Sequence, residues 1–235
     1  MARSSLADEE VVDMTITGTE SVEPVLRGLE DGRPAVRLRA AMAAGTAPDP
    51  RFVGPLVERC AVEPEFHVRD TLTWALTRHP VVRTLPAVLG ELSSERAQAR
   101  SQALHTLSKI GDPRAWPAIT GALLDDPDDE VARTAWRAAT VLVPEGGRRA
   151  LAETLAGQFG RGGPQTQRSL SRALVALGGA AGPALDTASQ SPVARVRTHA
   201  LATQRLLRDP DAGFESAVEE AKRVVALGGT ASEGA

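Results

Sequence analysis

The sequence holds one cysteine, no tyrosine, four phenylalanines, three tryptophans and two lysines among 235 residues. A lone thiol forms no internal disulfide, and no Cys/His spacing of the zinc-binding kind is present, so a disulfide scaffold and a structural zinc module are both excluded. Long apolar runs are missing too. Residues 1–20 contain Asp8, Glu9, Glu10 and Asp13 without a continuous apolar stretch, and no segment nears the roughly eighteen apolar residues of a membrane span. The expectation is a cytoplasmic protein in a reducing compartment. With 25 of the 27 cationic side chains being arginine, the scarcity of lysine reads as GC-rich coding and not as guanidinium chemistry.

The net charge of −3 hides an asymmetry. Residues 1–30 carry seven acids against two bases, residues 208–235 six against three, and residues 31–207 carry 17 acids against 22 bases. A basic body lies between acidic ends.

The body repeats. Ala35-Val36-Arg37-Leu38-Arg39-Ala40-Ala41, His67-Val68-Arg69-Asp70-Thr71-Leu72, Gln98-Ala99-Arg100-Ser101-Gln102-Ala103-Leu104 and Arg195-Val196-Arg197-Thr198-His199-Ala200-Leu201 share one frame. Two weaker copies centre on Ala132 and Gln167. The frame positions 37, 69, 100, 132, 167 and 197 are separated by 32, 31, 32, 35 and 30 residues, a period that means stacked supersecondary units. Each unit reads as two helices. The first carries an apolar stripe such as Ala99, Ala103, Leu104, Leu107 and Ile110. Gly45, Gly111 and Gly178 stand where left-handed C-caps belong, and Asp49-Pro50, Asp112-Pro113 and Gly182-Pro183 start the second helix, as over Ala115–Leu124. Only Val11–Thr17 alternates like a strand.

Asp112-Pro113-Arg114-Ala115-Trp116-Pro117-Ala118-Ile119 followed by Asp125-Asp126-Pro127-Asp128-Asp129-Glu130-Val131 closely resembles the short HEAT-like repeats of phycobilisome-lyase proteins, over roughly residues 22–207. The whole chain also resembles actinobacterial HEAT-repeat proteins. The resemblance implies an all-α, right-handed α-solenoid of five to six helix pairs and no particular activity. Expected boundaries are an acidic tail at 1–20, repeats over 21–207, a capping helix at 208–227 and a disordered tail at 228–235.

At 100° per residue the stripe leaves a free face at frame positions −2, +1, +2, +5 and +9. The resemblance places that face on the concave surface. It carries Arg39, Arg78, Lys109, Arg133, Arg137, Arg168, Arg172 and Arg195 against Asp70 and Glu130, with Trp74, Gln102 and the histidines His67, His105 and His199. These residues, Glu130 excepted, are the candidate partner-binding set, and Arg133, Arg137, Arg168 and Arg172 should form a two-by-two basic patch. Arg37, Arg69, Arg100 and Arg197 are read instead as structural, their stems packed and their guanidinium groups meeting neighbouring acids. Trp116 and Trp136 belong to the core.

No metalloprotease, nucleophile-elbow or phosphate-loop motif is present. Gly160-Arg161-Gly162-Gly163 reads as a loop, and Cys60 as a packed thiol. No cofactor or metal is expected. The reading is a non-catalytic scaffold for an acidic or mixed-charge protein segment. Nucleic-acid backbone is the second choice, although seven aromatics without tyrosine make a poor base-stacking surface. By analogy Asp70, Trp74 and Arg137 also resemble the groove residues of HEAT-like alkylpurine DNA glycosylases, but Asp precedes Trp here.

Overall fold

The computed structural model of the chain describes residues 22–230, and every regular element among them is helical. The acidic N-terminal segment, the alternating Val11–Thr17 and residues 231–235 lie outside the described residues.

Six helices carry the six frames: α2 (Pro34–Thr46), α4 (Phe66–Arg78), α6 (Ala97–Ile110), α8 (Asp129–Leu142), α10 (Pro164–Ala176) and α12 (Ala194–Arg208). Each packs against the next to form one layer. Behind them lie α1 (Val22–Leu29), α3 (Val53–Cys60), α5 (Val81–Gly90), α7 (Gly121–Leu124), α9 (Arg148–Ala156) and α11 (Gly182–Ser189). Neither layer can bury its stripe alone. Stacked, they enclose a continuous core from Val22 to Ala200 that includes Leu72, Leu104, Trp136 and Leu174. This is an α-solenoid.

Two local expectations change. The helix expected over Ala115–Leu124 is split into a 3₁₀ stretch, Pro113–Ala118, and the single turn of α7. Pro117 has no N–H to continue a helix, and Thr120 is extended at ψ 161°. Gly111 and Gly178 do adopt left-handed φ values of 67° and 62°, but Gly45 is an ordinary helical residue. It is glycine because a Cβ there would stand 2.4 Å from Cζ3 of Trp74 and 2.9 Å from Cα of Ala75. The close approach of α2 and α4 requires it, and no turn does.

The arginine of the frame is a staple. Arg37 donates to the carbonyls of Asp31 and Gly32, Arg69 to those of Glu63 and Pro64, Arg100 to those of Ser94 and Glu95, and Arg197 to that of Ser191. Each therefore reaches back six residues, to backbone acceptors left open in the loop before its own helix. At two joints the same guanidinium also takes a carboxylate from the next loop: Arg37 holds Glu63 through two bonds of 2.7 and 2.8 Å, and Arg100 holds Asp126 at 2.9 and 3.1 Å. Burial alone would raise the Glu63 pKa. Hydrogen bonds from Arg37, the Glu65 amide and Arg59 more than offset this and hold it at about 2.

Where the frame offers Ala132, Arg161 supplies the missing donors from the following loop. It donates to the carbonyl of Asp126, six residues before Ala132, and to Asp129 Oδ1 at 2.9 Å, while lying 5.9 Å from the Trp136 ring centroid. Trp136 is fully buried and donates its indole N–H to the Leu124 carbonyl. Cys60 is buried as well, which pushes its thiol up to about 12.

The last helix, α13 (Phe214–Thr230), departs from the two-layer pattern. It starts at Phe214 and runs to Thr230, past the expected boundary at 227. α13 packs on α12 without comparable packing on α11. Its Ala217 and Ala221 meet Ala202, Leu201 and Leu206 in a small cluster separate from the main core. Ala202 and Leu206 are free-face positions, so α13 covers the end of that face.

Candidate functional site

A face built from helices at frame positions +1, +5 and +9 presents side chains only, because the backbone beneath is already bonded within each helix. From α2 to α10 it is largely open. Arg39, His67, Asp70, Arg78, Lys109, Arg137 and Arg172 are exposed along it, and Gln102 and His105 are half-buried. Arg195 is exposed with its stem against Gly160. Trp74 is 42% exposed, with the rest of its indole resting on Gly45. It is therefore partly a packing residue.

His199 is a correction. The frame puts it on the free face, yet it is 2% exposed. Its Nδ1 accepts from the Gly160 amide at 3.1 Å, so the ring proton sits on Nε2, which faces the Gln167 carbonyl at 2.9 Å and Ser171 Oγ at 3.1 Å. Phe159 and Phe214 approach it edge-on, with centroids at 4.9 and 6.2 Å. Burial depresses its pKa to about 4 and keeps it neutral. It serves the joint between α10 and α12 and is not available to a partner. Ser101 and Thr134, also free-face positions, are likewise buried and bonded to each other.

The four arginines of the basic patch divide. Arg133, Arg137 and Arg172 line a cleft of about 480 Å³ between α8 and α10, with Val141, Ala173 and Ala176 supplying its apolar part. Arg168 faces a neighbouring cleft of about 470 Å³, shared with Arg172 and Ala176 and closed by Leu206, Phe214 and Glu215. There it pairs with Glu215 and lies 5.7 Å over the Phe214 ring.

Acceptors are scarce in the first cleft. Arg133 pairs with Glu130 through one terminal nitrogen and leaves Nε buried without a partner among the described residues. Arg137 donates to Nδ1 of His105 at 3.0 Å. His105 is kept neutral, its pKa lowered by burial and by the charges of Arg137 and Lys109. Burial also lowers the pKa of Arg137. Arg172 makes no hydrogen bond or ion pair with any described residue.

Sequence reasoning missed Phe214, Glu215 and Glu220, because it treated the C-terminal helix as an end cap and not as an occupant of the face. The available clue was a phenylalanine and three acids flanking Ala217 and Ala221 on one helix, opposite a face of arginines. Among the described residues no three His, Cys, Asp or Glu side chains come together in a way that could hold a metal ion. No helix there is long and apolar enough to cross a membrane.

No curated protein matches the sequence. Among solved structures, an engineered protein from the Northeast Structural Genomics Consortium is similar at a TM-score of 0.46 and 19% identity, covering 86% of this chain and 97% of its own. Human deoxyhypusine hydroxylase in complex with glycerol is similar at a TM-score of 0.45 and 18% identity, covering 88% and 95%. The family of HEAT repeats matches residues 64–140, from the loop before α4 into α8. The same stacking of paired helices runs on either side of that match, from α2 to α12, so the matched segment lies within a longer α-solenoid.

Proposed function

We propose that this protein is a non-catalytic binding module that holds an acidic or mixed-charge protein segment on the free face of its first-layer helices. The observation that carries this reading is the surplus of arginine donors in the cleft between α8 and α10. Three guanidinium groups face one carboxylate there, and two of them, Arg137 and Arg172, have no acid among the described residues. A carboxylate-bearing ligand would supply the missing acceptors through charge-assisted, bidentate bonds, which are stronger than neutral ones. The apolar contribution of Val141, Ala173 and Ala176 suits a polypeptide better than a phosphate backbone.

The double reversal Arg137→Glu with Arg172→Glu tests it. Both side chains are exposed, so the fold should move by less than about 0.5 kcal/mol, checked by thermal unfolding. Affinity capture should lose the protein bands that wild type retains, and those bands should weaken as salt rises. Capture of the same bands at the same salt by wild type and the double variant would show the face to be merely solvated.

A further inference from the structure

The repeat register makes the two clefts equivalent. Arg133 and Arg168 share frame position +1, Arg137 and Arg172 share +5, and Val141 in one repeat stands where Ala176 stands in the next. On the far wall Ala176 corresponds in the same way to Leu206, both at +9. In the second cleft a docked helix forms one wall. This wall is the first turn of α13, whose Phe214 lies under the guanidinium of Arg168 and whose Glu215 pairs with it. Farther along, Glu220 pairs with Arg205.

We infer that the cleft between α8 and α10 is a seat for an acidic helix whose first turn begins with an aromatic residue followed by a carboxylate, bound as α13 is bound one repeat later. This deepens the proposed function and rests on it. Three features argue for a helical partner. The face offers no free backbone groups to form a ladder with an extended segment, whereas a helix arrives with its own N–H and C=O groups satisfied. The free hydroxyls are already committed, that of Thr140 donating to the Arg137 carbonyl and that of Ser169 to the Gln165 carbonyl. Val141 is 52% exposed at frame position +9, two turns beyond Arg133, where it offers apolar contact to a helix lying along the cleft. The arginine rim then takes the carboxylate, with Arg133 able to add a ring-face contact as Arg168 does.

The test uses the full chain and a labelled peptide of residues 212–230, read by fluorescence anisotropy, with unstructured poly-glutamate and a single-stranded DNA oligonucleotide as further probes. The peptide should bind. Phe214→Ala in the peptide should weaken it at least about tenfold, the usual scale for a buried aromatic anchor. Arg137→Glu in the chain should do the same, and Val141→Asp should cost several-fold, while Arg205→Glu, which touches only the contact with α13, should leave affinity within twofold. The seat is overturned if Arg137→Glu or Phe214→Ala changes nothing, or if Arg205→Glu alone abolishes binding, which would mean that the peptide replaces α13. Poly-glutamate binding as tightly as the peptide and depending on Arg137 would overturn the aromatic-led helix and leave the acidic-segment reading standing. Failure of both peptides would remove both proposals. DNA binding tighter than either peptide, with a steep salt dependence, would replace them with backbone recognition.

Discussion

The joint between α2 and α4 and the joint between α10 and α12 occupy the same place in the repeat but are closed by different chemistry. At the first, Arg37 bridges its own loop carbonyls and the buried carboxylate of Glu63, which Arg59 also holds at 2.9 Å. At the second, Gln167 stands in the arginine slot and reaches only the Gly162 carbonyl, and the joint is filled by His199, Ser171 and Thr203 in a neutral network. A repeat fold therefore conserves a task, satisfying the loop carbonyls and tying one unit to the next, while the groups that perform it vary. Charge and neutral polarity should fail under different stresses.

The largest effect should come from breaking the charged joint. Arg37→Ala leaves Glu63 buried without its principal partner, and breaking such a pair costs about 3–5 kcal/mol, measurable by chemical denaturation. Replacing both members by apolar residues, Arg37→Met with Glu63→Leu, should recover part of that loss, because no buried carboxylate is left unpaired and Arg59, which loses its partner, can still reach water. A loss under about 1 kcal/mol for Arg37→Ala would mean that Glu63 escapes to water, and the joint would owe little to charge.

Acid should separate the two joints next. His199 has a folded pKa of about 4 against an ordinary 6.5, so the unfolded chain takes up its proton first as pH falls. The stability it contributes is full above pH 6.5 and disappears on reaching about 4, amounting to up to about 3 kcal/mol at 1.36 kcal/mol per pKa unit. His105, whose pKa is also lowered, adds in the same direction. Glu63, at about 2 against an ordinary 4.5, holds its contribution above pH 4.5 and loses it as pH falls toward 2. Hydrogen exchange should therefore show α12 and α13 losing protection between pH 6.5 and 4.5 while α2 and α4 keep theirs. His199→Gln should remove most of that window, and uniform loss along the chain would break the distinction.

Much of this architecture was legible before the structure. The period, the apolar stripe and the arginine slot all follow from spacing, because side-chain direction in a helix is fixed by residue number. What the arginines do was only half legible. Packed stems and neighbouring acids could be expected, but not the carbonyls six residues upstream, since loop backbone geometry leaves no periodic trace. The basic patch was read as one unit, and the structure divides it, because α13 turns back over Ala202 and Leu206 and engages Arg168. Helical periodicity says which side of α12 is free. It cannot say that a later helix will cover it. Nor can it say that the preceding loop at Phe159 and Gly160, together with α10, closes over His199.

Arg161 offers the smallest and most discriminating test, because it performs the staple's task from the opposite direction. In the third and fourth repeats the charged joint of Arg100 with Asp126 is followed by an alanine in the next slot, so the Asp126 carbonyl would be unpaired without Arg161. Arg161→Ala removes that bond, the 2.9 Å bond to Asp129 and the cover over Trp136 together. Water can reach part of this site, since the Arg161 side chain is 19% exposed, so the cost should be about 1–2 kcal/mol, well below that of Arg37→Ala. Arg161→Lys should fall between, because an ammonium can keep the charge on Asp129 but cannot fork to the carbonyl as well. Urea midpoints for the three chains, with exchange protection of residues 126–132 as the local readout, decide the matter. If Arg161→Ala costs no more than an ordinary surface change of about 0.5 kcal/mol, the loop carbonyls need no guanidinium, and the strength of the joint between α2 and α4 lies in the burial of Glu63 and not in the staple.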